Sequence, residues 1–293
     1  MVKRSGYTIE RRKARFAYAF LMPTLVYLLV FQLYPLIESV RLSFTNLNLL
    51  NPGSGRYVGL ENYRNLFKND PAFWRIFLNS FIWVFGSTIL QFIIAIPASL
   101  LLNQNIKARG LWRGLVMIPW VTPTVIMGMI WKWIYDGDFG LLNYYLGTKT
   151  VWLGDESTVW GALLFASMWK GFPYAVIMFL AGLQGIPNEL YEAATVDGCT
   201  GFKKFIYVTI PQLAPVIFMT GLVSIVISWT KFELIWVLTA GGPGYRTSVL
   251  PTYVYTKAFG SFEMGSGSAV AVISMVFVAL FSIVYLRLFS VRE

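Results

Sequence analysis

Six stretches of this chain are continuously apolar for roughly the 20 residues that a helix needs to cross a bilayer. They run over about 16–37, 76–102, 114–135, 159–184, 216–239 and 265–289. In hydrocarbon the backbone must satisfy its own polar groups, which leaves helices or closed barrels as spanning structures. The runs are long and unbroken instead of alternating over about ten residues, which excludes barrel strands. The sequence therefore predicts an all-α integral membrane protein with six transmembrane helices. Composition agrees: 56% of the 293 residues are apolar and 13% charged, more oil than the core of a soluble domain absorbs.

The net charge of +10 would suit a nucleic-acid ligand, but its distribution points to a membrane. With the N-terminus inside, Lys3, Arg4, Arg11, Arg12, Lys13, Arg15, Lys107, Arg109, Arg113, Lys203, Lys204, Arg287 and Arg292 all fall on short cytoplasmic segments. That is the positive-inside pattern, and six spans return both termini to the cytoplasm. Arg41, Arg56, Arg64, Lys68 and Arg75 sit in the first external loop, 41–75, against the rule; a longer translocated loop weakens it. The organisation expected is a basic tail, 1–15, followed by one six-helix domain, 16–293, with no internal repeat and no room for a soluble domain. Phe16 to Leu36 is too long for a signal-peptide core and is read as an uncleaved first helix. A single cysteine, Cys199, excludes an internal disulfide, and the absence of histidine removes the commonest general base and metal ligand.

The external loop opens with turn residues, "NPGSG" at 51–55. In "GLENYRNLF" at 59–67, Leu60, Tyr63, Leu66 and Phe67 recur at helical offsets, predicting a short helix on the outer membrane surface. Asp70 before Pro71 reads as an N-cap with proline at the first helical position. "IPWVTP" at 118–123 predicts a kinked or broken start to the third helix, and Pro173 a local break in the fourth.

The most polar interior stretch is 185–215, between two oily runs. Asn188 reads as an N-cap, Glu189 and Glu192 lie in a first turn, and Gly198 suits the left-handed position that ends a helix. A short helix, Glu189 to Asp197, a tight turn and a second helical stretch, Lys203 to Tyr207, make a cytoplasmic helix-turn-helix. Ala193 and Ala194 would let another protein approach closely, while Glu189, Glu192 and Asp197 stay available for its basic residues.

Glu192, Ala193, Ala194, Asp197 and Gly198, followed by Phe205, Val208, Pro211 and Pro215, resemble the EAA loop of permease subunits of bacterial ABC importers. "VGLENYRNLF", "DPAFW", "LAGLQGIPNELYEAA" and "TAGGPGYRTSVLPTYVYTKAF" are similar to the carbohydrate branch, the maltose and glycerol-phosphate type. Cys199 departs from the family's usual alanine, and its small apolar side chain suits the same place. The resemblance implies a type I importer bundle in the bacterial inner membrane whose loop docks as a coupling helix on a separate ATPase subunit. It also implies a second six-helix permease, two ATP-binding cassette subunits that bind ATP and Mg, and an extracytoplasmic solute-binding protein. The chain itself has no GxxxxGK[ST] phosphate loop, so it cannot hydrolyse ATP and needs no cofactor of its own.

Charges inside a bilayer are costly and mark function. Lys170 lies midway along the fourth run, and Lys231 and Glu233 midway along the fifth, two residues and about 200° apart on a helix. Ser167, Trp169, Lys170, Gly171 and Tyr174, with Ser224, Ser228, Trp229, Lys231 and Glu233, supply the aromatic faces and polar rims that sugars match. The resemblance places a sugar pocket on the same two helices, and the lysines would suit an acidic glycan. A secondary transporter would need ion-coupling groups at the midplane, for which Glu233 stands alone. A membrane enzyme would need paired carboxylates, a metal set or a nucleophile with its base, and none is evident.

Overall fold

The computed structural model describes residues 4–51 and 53–290, with side chains from Phe16 to Leu288. The charges of the basic tail, 1–15, and Arg292 lie outside the described side chains. In chain order the helices are α1 (Arg4–Leu28), α2 (Tyr34–Ser43), α3 (Glu61–Lys68), α4 (Phe73–Asn103), α5 (Arg109–Val121), α6 (Thr124–Ile134) and α7 (Leu141–Leu146). They continue with α8 (Val159–Gln184), α9 (Asn188–Val196), α10 (Gly201–Lys204), α11 (Ile210–Thr230), α12 (Glu233–Thr239), α13 (Leu250–Tyr255) and α14 (Met264–Ser290). Single π turns join α1 to α2, α10 to α11, and follow α13. Among the described residues the only β pairing is an isolated bridge, Thr45 to Tyr57.

Five helical stretches are long and apolar enough to span a membrane: Phe16–Ser43, Phe73–Asn103, Val159–Gln184, Gly201–Thr230 and Met264–Leu288. The sixth is a bent pair, α5 and α6, turning through 91°. The break expected within 118–123 is present, but its place in the span and the expected break at Pro173 need correction. The third span breaks in its middle, at Thr122-Pro123, while Pro119 stays inside α5. Pro173 does not interrupt α8, which is continuous from Val159 to Gln184.

The chain forms two compact units, Met1–Leu66 with Thr256–Val272, and Phe67–Tyr255 with Ile273–Glu293. In the first, the opening span runs on to Ser43, so Arg41 is helical and pairs with Glu38 at 2.6 Å instead of lying in a loop. The helix stops where the Ser43 and Thr45 hydroxyls donate to the carbonyls of Val40 and Leu42. Helix α3 begins at Glu61, one residue after the first periodic apolar position, Leu60. Its half-buried Tyr63 bonds Ser43 at 2.7 Å and packs on Phe44, while Leu60 and Phe67 stay exposed. Asn62 donates to the carbonyls of Ser43 and Thr45, both at 2.8 Å.

The second unit is built on α4 and α8. Gly171 lies against the Gln91 side chain, where a Cβ would collide, and Gly182 receives Leu213 and Val216. Small residues of this kind let membrane helices approach closely. Phe179 is fully buried and meets Phe92 edge-on at 5.0 Å; Ala95, Ala175, Val176 and Leu213 complete the core around it. Asp70 is not the N-cap of α4: its carboxylate takes the amide of Ala72 at 3.0 Å, an Asx turn that precedes the first helical residue, Phe73. Trp229, expected among the sugar-facing aromatics, is packing. It stacks on Phe277 at 4.7 Å and donates to Ser274 at 2.8 Å.

Candidate functional site

Two places gather the residues singled out in the sequence. The first is the hairpin after α8. Asn188 opens α9 but does not cap it; Pro187 holds the cap position. The far end is a Schellman turn, with Gly198 at φ 76°, its amide bonded to Thr195 O at 3.0 Å and that of Cys199 to Ala194 O at 2.8 Å. The expected second arm is not a separate helix: α10 passes through its π turn into α11, so the arm is the foot of the fifth span. Pro211 and Pro215 both stay within the helical path.

The two arms are tied by side chains. Tyr191 Oη lies 3.1 Å from Thr209 Oγ1, and Lys204 Nζ donates to Thr195 Oγ1 at 2.6 Å. Glu189, Glu192, Ala193, Asp197 and Gly198 are exposed. Ala194 is buried, so only Ala193 of the pair offers a small outward surface. Two apolar groups the sequence reading passed over stand at the tip, Val196 at 89% and Phe202 at 74% exposed. Acids thus stand beside exposed apolar side chains on a turn fixed by backbone bonds.

The second place lies where the spans break. Helix α11 ends at Thr230, and Lys231 is extended, with ψ 115°, before Glu233 opens α12. Lys231 and Glu233 thus do not lie midway along a helix, and the 200° separation expected of them does not apply. Lys231 is half-buried, Glu233 exposed, and the charged groups acting on the Lys231 ammonium are Lys170 and Glu233. Lys170 reaches the other break, donating to the carbonyls of Pro119 (3.3 Å), Trp120 (2.9 Å) and Thr122. The two breaks are also joined by packing, because Gly128 of α6 receives Val237 and Leu234 of α12.

Around them Trp169 is half-buried and meets Trp131 edge-on at 5.9 Å, and Tyr174 is half-buried one turn further along α8. Phe232, Trp236 and Tyr255 cluster beside Lys231 with centroids 4.6–5.3 Å apart, an aromatic group that the sequence reading did not select. Ser167, Ser224 and Ser228 are buried with Gly171 on the inner faces of α8 and α11. Among the described residues the Ser167 and Ser224 hydroxyls have no hydrogen-bond partner, nor do Thr88, Thr220 or the Gln91 Nε2. Two facing pairs place α11 alongside α4: Trp83 Nε1 donates to Ser228 O at 3.1 Å, and Phe92 approaches Gly221. With Gly171 facing Gln91, this register sets these unpaired groups at neighbouring levels of the bundle.

Two asparagines organise the loops, Asn143 on α7 and Asn79 within α4. The Asn143 amide donates to the carbonyls of Asp136, Gly137 and Thr150 and accepts from Thr148, the Thr150 amide and Trp152. Asn79 holds the loop 239–250 through the carbonyls of Tyr245, Arg246 and Ser248. At the start of α8, the amide and hydroxyl of Ser157 bond the Asp155 carboxylate and hold its pKa below the ordinary aspartate value.

With this geometry established, comparison with known proteins is informative. The family model described as "Binding-protein-dependent transport system inner membrane component" matches residues 91–290. A trehalose/maltose transport system permease protein of Thermococcus litoralis is 33% identical, the match covering 95% of each chain. An arabinooligosaccharides transport system permease protein of Bacillus subtilis is 31% identical over 98% of this chain and 92% of its own. Among solved structures, a subunit of a bacterial ABC transporter that imports the acidic polysaccharide alginate superposes with a TM-score of 0.81 at 21% identity, covering 97% of this chain and 98% of that one.

Proposed function

This chain belongs to the family of binding-protein-dependent transport system inner membrane components, and from that premise we propose that it forms half of the pathway of an ATP-driven importer of sugars or oligosaccharides. It is a multi-pass, non-catalytic permease subunit. The relatives named above carry glycans by their descriptions, which supports the substrate class.

Residues 16–293 act as the permease domain, with both termini and the loop 185–215 in the cytoplasm. A second six-helix permease completes the pathway, two ATPase subunits bind ATP and Mg, and an extracytoplasmic binding protein delivers the solute. The observation that carries this reading is the hairpin built on α9. Its exposed Glu189, Glu192, Ala193 and Asp197, the left-handed turn at Gly198, and exposed Val196 and Phe202 suit insertion into a cleft of the ATPase subunit. Movement of that hairpin passes directly into the fifth span, because α10 and α11 are one helical path.

The solute passes the paired breaks, with Trp169, Tyr174 and the aromatics near Lys231 facing sugar rings and Ser167, Gly171, Ser224 and Ser228 lining the inner bundle. Lys231 and Glu233 present charges there, and Lys231 favours a glycan bearing an acidic group. Purification of the tagged chain in mild detergent tests the assembly: a second permease and an ATPase should accompany it in fixed ratio. Solute uptake by liposomes holding this chain alone would overturn the proposal.

A further inference from the structure

A helix that ends inside a membrane leaves up to four carbonyls without their intrahelical donors, and hydrocarbon offers no water in exchange. Helix α5 is such a case. The Thr122 amide makes the last i→i−4 bond, to Ile118 O. The next acceptor, Pro119 O, would take its bond from residue 123, which is proline and has no N–H. Beyond it the 91° turn carries α6 away from the carbonyls of Trp120 and Thr122.

Lys170 answers that deficit. Its ammonium has three N–H donors and no acceptor, and it faces three of these carbonyls, those of Pro119, Trp120 and Thr122. A cation at the negative end of α5 also suits the helix dipole. The side chain comes from α8, a continuous helix packed on α4, so the cap is supplied from a firm support.

We infer that Lys170 is the C-terminal cap of α5, the first half of the broken third span, supplied from α8 of the same chain: a positioning residue that holds the bend between α5 and α6. Since α6 packs through Gly128 on α12, fixing this bend also fixes the helix that follows Lys231. The role goes beyond the transport reading and is independent of which solute is carried.

The experiment uses the assembled complex with spin labels at Leu115→Cys and Ile130→Cys, one on each side of the bend, in a Cys199→Ala background. Lys170→Met should broaden or shift the label distance, and Lys170→Arg, which keeps donors and reach, should restore it. In transport, Lys170→Met should lower maximal rate about tenfold or more, with the apparent KM for solute within about twofold. Pro123→Ala lets Thr122 leave its extended ψ of 129° for the helical region, where the new amide at 123 would reach Pro119 O, so the effect of adding Lys170→Met should be smaller there than in the wild-type background. An unchanged label distance in Lys170→Met, a raised KM at normal maximal rate, or strict additivity with Pro123→Ala would each overturn the inference. If Lys170→Met fails to assemble, the comparison of Lys170→Arg with Pro123→Ala still decides it: a distance shifted by the arginine alone, and not relieved by Pro123→Ala, contradicts the cap.

Discussion

Tyr191 Oη lies 3.1 Å from Thr209 Oγ1, joining α9 to the foot of the fifth span. A hydroxyl pair of this kind is worth about 1 kcal/mol, enough to keep the two arms moving as one body. Tyr191→Phe should leave assembly intact and lower coupled ATP hydrolysis severalfold, measured as the ratio of solute-stimulated to basal rate. An unchanged ratio would show that the arms need no clasp.

Charge reversal at Glu192 probes the docking surface itself. Glu192 is exposed on α9, so Glu192→Lys should not disturb folding of the chain. Transport should fall below a tenth of the wild-type rate while membrane insertion and thermal stability are preserved. Retained transport would remove Glu192 from the coupling surface.

Gly198 separates conformation from contact. Its φ is 76°, and a Cβ added there would meet nothing within 4 Å, so substitution costs only the left-handed backbone of an L residue, roughly 1–2 kcal/mol. Gly198→Val should expose the amides of Gly198 and Cys199 to faster hydrogen exchange, and Gly198→Asn, which tolerates that conformation, should do so less. Equal protection in both variants would contradict the Schellman turn.

Lys231 occupies the gap between α11 and α12, where its backbone amide closes the end of α11 on Ser228 O at 3.3 Å. Lys231→Gln should raise the apparent KM for an acidic oligosaccharide about tenfold and leave that for a neutral one within about twofold. Competition uptake assays with the two solute classes would separate the cases; equal changes for both would exclude an electrostatic selection.

Asn143 makes six hydrogen bonds at one loop. Asn143→Ala leaves carbonyls and a tryptophan N–H unpaired, a cost of about 1–3 kcal/mol for each buried group. Limited proteolysis should then cut within 136–152 well before the helices. Unaltered resistance would mean that the loop is held from elsewhere.

The spans were legible because the signal is local. Each apolar run of roughly 20 residues states a helix without reference to any other part of the chain, and Gly198 states its turn through its own φ. The acids of α9 face outward as their sequence neighbours suggested. Ala194 did not follow, because which side of α9 meets the rest of the chain depends on the path of the fifth span, not on α9 itself.

What the tertiary structure decided was how the polar groups inside the bundle are spent. Lys170 read as a solute contact, and α8 sets its ammonium on the carbonyls at the end of α5; Trp229 read as a sugar face, and it is buried against Phe277 and bonded to Ser274. The reason is that a charge or a broken backbone in a membrane must find its partner on another helix, and the choice of helix is made by packing across the bundle. Composition and order in the chain state that apolar spans and a polar turn between two of them exist; only the assembled helices state which carbonyl a lysine satisfies.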